Sequence, residues 1–109
     1  MKALILVAAL AAAPAAAADH GAAIYDRACA VCHGYDGTGA MPGVADLTDP
    51  AGALAKSDAE LMRSLRDGVE GDAAAMPPRG GDDSLTDGDL AAVLAHIRAA
   101  FGGSQGDKP

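Results

Sequence analysis

Cys29-Ala30-Val31-Cys32-His33 constrains this chain more than any other stretch, because two thiols and an imidazole at this spacing have few shared uses. On a helix, positions three and four apart lie on one face, which sets both sulfurs and the ring toward a single partner. A Cys-x-x-Cys-His run matches c-type haem attachment, in which both thiols join the macrocycle and the imidazole becomes an axial ligand of the iron. The other uses fit less well. A disulfide at this spacing is strained, and a thioredoxin-like dithiol needs a surrounding βαβ pattern that the sequence lacks. The chain has 2 cysteines in all. One covalent haem c, tied to Cys29 and Cys32 and ligated through iron by His33, is the expected cofactor.

The residues before the motif read as a leader. Lys2 precedes an apolar run from Ala3 to Ala13, Pro14, and a small-residue site at Ala16-Ala17-Ala18 ahead of polar Asp19. The run is short for a bilayer, which needs about 20 residues, and Pro14 interrupts it. A signal peptide over 1–18, cleaved after Ala18, is expected to send the rest to the periplasm. Losing Lys2 leaves 7 of the 8 basic residues against 15 acidic ones, a formal charge of −8. That balance excludes nucleic acid as a natural partner. It suits a diffusing protein that meets a basic docking patch on a redox partner.

Aromatic residues are 3% of the chain, and much of its apolar content is alanine. Such a polypeptide has little bulky surface for a core, and a chain this short buries only a modest share of its surface in any case. An enclosed haem would supply the missing apolar body.

Three helical stretches follow from local signals. Asp19 to about Val31 carries a cap candidate and several alanines. Ser57-Asp58-Ala59-Glu60 is a capping box that opens a second helix, with Leu61, Leu65 and Val69 every four residues, Met62 beside them as packing, and a stop near Gly68. Thr86-Asp87-Gly88-Asp89 is a weaker capping sequence ahead of Leu90, Val93, Leu94, Ile97 and Phe101, ended by Gly102-Gly103. Between the first two, residues 34–50 carry Gly34, Gly37, Gly39, Pro42, Gly43 and Pro50 and read as a loop. No strand pattern and no internal repeat is evident. The expected organisation is one all-α domain over 19–103, three to four short helices around the haem, with a frayed tail at 104–109.

A second iron ligand is expected from Ala74-Ala75-Met76-Pro77-Pro78-Arg79-Gly80-Gly81. Two prolines stiffen the backbone directly after Met76, and a thioether is a soft donor that raises the reduction potential. A core methionine is seldom followed by two prolines in a glycine-rich loop. Arg79 is a candidate for contact with a haem propionate or a solvated surface charge, and the sequence leaves the two open.

Gly21, Tyr25, Cys29, Cys32, His33, Pro42 and the Ala-Met-Pro-Pro run together resemble the class I c-type cytochromes, across nearly all of the chain after the leader. The resemblance implies the cytochrome c fold, with N- and C-terminal helices crossing at Gly21 and Tyr25. It also implies that Pro42 offers its carbonyl to the His33 ring, which would place Met41 on the wrong face for the iron. Val93 and His96 stand where the family has an aliphatic residue and an aromatic, and His96 puts the aromatic crossing in doubt. His20 and His96 are expected to be surface or packing histidines. The methionine loop is similar to a subgroup that often carries a second cysteine pair soon afterwards, where this chain has Asp82-Asp83-Ser84.

The function so implied is that of an exported monohaem one-electron carrier working between periplasmic or membrane redox proteins, respiratory complexes among them. With His33 and Met76 on the iron no coordination position stays open, and no other catalytic constellation is present, so neither an enzyme nor a small-molecule substrate is expected. The alternative is a small haem c subunit of a periplasmic dehydrogenase or oxidase complex. A thiol redox or metal-binding module is a third reading, which predicts a colourless protein with free thiols.

Overall fold

The computed structural model describes residues 19–71 and 74–102. The expected leader and the tail at 104–109 lie outside the described residues. Three helices carry the fold: α1 over residues 19–33, α2 over Asp58–Asp67 and α3 over Asp87–Phe101. A single 3-10 turn at Ala53–Ala55 and a turn at Pro78–Gly81 that passes through left-handed backbone at Arg79 and Gly80 punctuate the connections. The regular structure is all-α, as the sequence predicts, apart from an isolated antiparallel bridge between Val69 and Met76.

α1 and α3 cross where a side chain is missing. A Cβ on Gly21 would run into the Ala92 carbonyl and sit 3.2 Å from His96 Cβ, so only glycine allows the two backbones to approach this closely. One turn on, Tyr25 is 1% exposed. Its ring centre lies 5.5 Å from that of His96 and 5.3 Å from that of Phe101, both tilted, within the range of favourable ring pairs. His96, the departure that put this crossing in doubt, therefore takes the aromatic seat with its own ring. Ile24, Leu90 and Val93 fill the rest of the contact. At its rim His20 Nε2 lies 2.7 Å from Asp89 Oδ1.

Within α1 the turn Tyr25–Cys29 is a π-turn, in which the Ala30 amide donates to the Tyr25 carbonyl. The helix resumes as Ala30–His33 and stops at Gly34, whose φ of 87° is left-handed. The buried Tyr25 hydroxyl needs an acceptor and donates to the Gly34 carbonyl at 2.6 Å. Burial first, and then the charges of Cys29, Asp36 and Asp26, push its pKa up to about 12.

Both predicted capping boxes are complete. Ser57 Oγ accepts from the Glu60 amide and the Glu60 carboxylate accepts from the Ser57 amide, and Thr86 and Asp89 do the same despite Gly88. α2 buries Leu61 and Leu65, with Met62 packed at the edge of the core. The apolar row ends there, and Val69 departs from expectation. Gly68 leaves the helix at φ 80°, which breaks the helical phase, so Val69 stands 46% exposed and joins the bridge to Met76.

Candidate functional site

α1, α2, α3 and the connections between them surround one apolar cavity of about 750 Å³. Its size falls within the range of about 300–1,000 Å³ usual for ligand sites. Cys29, Cys32 and His33 enter it from the end of α1, Leu61, Ser64 and Leu65 from α2, and Leu94 and Ile97 from α3. The connections add Met41, Val44, Leu47, Leu54 and the stretch around Met76. The two thiols, the imidazole and the Met76 side chain thus share one space, although their positions in the sequence span much of the chain. Among the described residues no three His, Cys, Asp or Glu side chains gather to hold a bare metal ion. The donor set suits a flat apolar group that brings its own metal.

The loop after α1 folds back over the motif. The Gly39 amide donates to the His33 carbonyl and the Ala40 amide to the Cys32 carbonyl, each at 2.8 Å. The chain then runs on so that the Ala45 carbonyl comes to 3.1 Å from His33 Nδ1. That bond needs Nδ1 to carry its proton, which leaves Nε2 with its lone pair for a ligand, and it fixes the ring orientation. The expected carbonyl was that of Pro42. The structure corrects the donor's partner to Ala45, because Gly39 and the turn closed by the Val44 amide on the Met41 carbonyl carry Pro42 outward to an exposed position. With the Pro42 bond goes the argument that set Met41 on the far face. Met41, 49% exposed, also lines the cavity.

Met76 is held by its backbone. It donates to the Val69 carbonyl at 2.7 Å and accepts from the Val69 amide at 2.9 Å. The approach depends on Gly68, where a Cβ would stand 2.6 Å from the Met76 carbonyl. Pro77 and Pro78 then lead into the left-handed turn over Pro78–Gly81. The Met76 side chain is partly buried against the core, unlike that of Met41.

Arg79 does not serve the cavity. Its backbone is left-handed at φ 54°, and its guanidinium donates to the Leu85 carbonyl at 2.8 Å and to Asp87 Oδ1 at 2.9 Å. Of the two roles the sequence leaves open, a haem propionate contact and a surface charge, these bonds account for Arg79 as a charge that clasps the start of α3. The polar groups that do line the cavity, besides His33, include Lys56, Ser64 and Glu70. The Cys29 thiol is buried, which, with Cys32 next to it, pushes its pKa up to about 11.

Sequence reasoning missed several walls. Leu47 and Leu54 are buried but stand as isolated leucines in a Gly/Pro-rich stretch with no period to betray them. Ala45 acts through its main chain, for which no residue type is a signal.

Comparison with known proteins agrees with this arrangement. The family model described as "Cytochrome C oxidase, cbb3-type, subunit III" matches residues 16–97. Cytochrome c-555 of Chlorobaculum thiosulfatiphilum is similar over 77 residues at 34% identity, covering 71% of this chain and 88% of that protein.

Proposed function

Because the chain belongs to the class I c-type cytochromes, we propose that it is a one-electron carrier with a single haem c, held by thioether bonds at Cys29 and Cys32 and ligated by His33 and Met76. Membership of the family implies covalent haem c, and the spacing of Cys29 and Cys32 supports them as the attachment pair. When bound, the haem supplies a reversible ferric/ferrous couple. The carrying observation is that two thiols, an imidazole and a partly buried thioether line one apolar cavity of about 750 Å³.

This chain's own residues do the rest. Ala45 keeps a proton on His33 Nδ1 and so presents Nε2 to the iron. The Val69 bridge and the Pro77-Pro78 pair restrain the Met76 backbone at the cavity wall, from which its sulfur would reach the iron. Leu54, Leu61, Leu65, Leu94 and Ile97 exclude water, which favours the less charged ferrous state. The preference for Met76 over Met41 rests on burial and backbone restraint, since both line the cavity.

Acid-acetone extraction followed by mass spectrometry tests the attachment: the haem mass should stay with the polypeptide, and its complete loss would refute the thioethers. Met76→Ala should abolish the far-red band of methionine-ligated ferric haem, lower the reduction potential and open the iron to cyanide. Met41→Ala should leave all three unchanged, and an exchange of the two phenotypes would assign the sulfur to Met41.

Among the described residues no helix is long and apolar enough to cross a membrane. The leader, the periplasm and a redox partner with a basic docking patch belong to the same proposal. Electron exchange with such a partner should slow as salt rises, because screening shortens steering to about 8 Å at physiological ionic strength. A salt-independent rate would remove the basic patch from this account. The description of the matching family as an oxidase subunit favours one second reading, a small haem c subunit of a larger complex. A stable partner chain that co-purifies with the haem protein would select it.

A further inference from the structure

We infer that Arg98, in the last turn of α3, is a positioning residue that holds one wall of the cavity shut and thereby sets how much water reaches the group inside. Its guanidinium reaches three acceptors at once. Nη1 donates to the Leu54 carbonyl at 2.9 Å, Nη2 to the Lys56 carbonyl at 2.7 Å, and Nε to Asp58 Oδ1 at 2.6 Å.

These acceptors belong to the stretch that most needs outside support. Ala53–Ala55 is a single 3-10 turn without a side-chain cap at Gly52. Its own bonds are only two, from the Ala55 amide to the Gly52 carbonyl at 3.0 Å and from the Lys56 amide to the Ala53 carbonyl at 3.1 Å. One such turn is not stable by itself. Yet Ala53, Leu54 and Lys56 line the cavity, and Leu54 is buried there. Arg98 joins this turn to the start of α2 and to α3. Its planar fork satisfies three separately placed oxygens, which a lysine ammonium on a flexible stem does not reproduce. When the fork is removed, the partly buried Leu54 carbonyl and the exposed Lys56 carbonyl both lose their protein donor, and the turn opens more often. Opening admits water beside the haem, which stabilises the ferric state and lowers the reduction potential.

The inference rests on the haem reading for its effect on potential and on the geometry alone for its effect on the turn. The test uses the haem-loaded protein. Arg98→Lys keeps the positive charge and loses the fork, whereas Arg98→Met loses both. Both variants should lower the potential, and the Ala55 and Lys56 amides should exchange about tenfold faster relative to amides of α1. Asp58→Asn, which spares the two carbonyl contacts, should leave that exchange near wild type. If Arg98→Lys keeps the wild-type potential while Arg98→Met lowers it, the effect is charge at a distance and the inference fails. It fails equally if both variants melt earlier with unchanged potential and unchanged exchange at Ala55 and Lys56. Should Arg98→Met not fold, the Arg98→Lys potential and exchange decide. A chain that carries no covalent haem sinks the functional reading, whereas a haem-loaded Arg98→Lys with wild-type behaviour sinks only this one.

Discussion

The crossing of α1 and α3 and the cavity beside it are built from the same alanine-rich chain to opposite standards. Ile24, Tyr25, Leu90 and Val93, the largest fully buried side chains, all sit at the crossing, and none lines the cavity. Around the cavity, Leu47, Leu54, Leu61 and Leu65 are buried from behind, while Val31, Met41 and Val69 are exposed. The crossing is a core that amino acids finish alone. The other half ends in leucine faces turned toward space, and it gains its last apolar contacts only from a group that is not polypeptide.

The largest expected effect follows from removing that group. Cys29→Ser with Cys32→Ser leaves no thiol for haem attachment, and we expect most of the helical circular dichroism and the cooperative melt to disappear. A cooperative melt with helices retained would show instead that the crossing stands without its neighbour. Gly21→Val attacks the finished half. Its new side chain meets the Ala92 backbone, which has no rotamer with which to yield, and the cost is expected at about 3 kcal/mol. The melting temperature should then fall by on the order of 10 °C or more. The far-red band of the folded fraction should survive, and its loss would mean that the two halves are not separable.

The smallest effect lies at the rim of the crossing, in the pH dependence of Asp89. Its hydrogen bond from His20, reinforced by the Thr86 amide, holds the carboxyl down at about 2. A depressed carboxyl stabilises the fold above its ordinary pKa and loses that contribution as pH falls from about 4 toward 2. The melting-temperature advantage of wild type over Asp89→Asn should therefore be full at neutral pH and shrink across that window. An advantage that stays constant down to pH 2 would place the bond elsewhere.

The helices on both sides were legible from sequence, because helix signals are local. Ser57 with Glu60, Thr86 with Asp89, and the terminating Gly68 and Gly102 each declare a boundary within a few residues. The attachment motif was legible for the same reason. The cavity walls that lie outside the helices were not. Ala45 reaches His33 through a carbonyl that any residue owns. The clasp made by Arg79 was not legible either, because a left-handed backbone turns it toward Leu85 and Asp87, and nothing in its neighbours announces that turn. Val69 kept the four-residue spacing after the helix had ended, so the period outlived the structure that produced it. His96 shows the converse, a residue of unexpected type that meets the same packing need with a ring of similar shape.

The wide turn in α1 bears on how distances along such a chain are counted. Gly21 and Tyr25 face the crossing and Cys32 and His33 face the cavity, and between them the Ala30 amide reaches back five residues rather than four. An α-helix advances about 100° per residue. Wound as a plain α-helix, the same residues would swing the attachment face by about that angle relative to the crossing face, and the imidazole would look along the wall instead of into the space. The interval between the two faces is therefore no fixed ruler. The π-turn works as an adjustable joint, taking up one surplus residue so that an anchor at each end of a single helix can keep its own bearing.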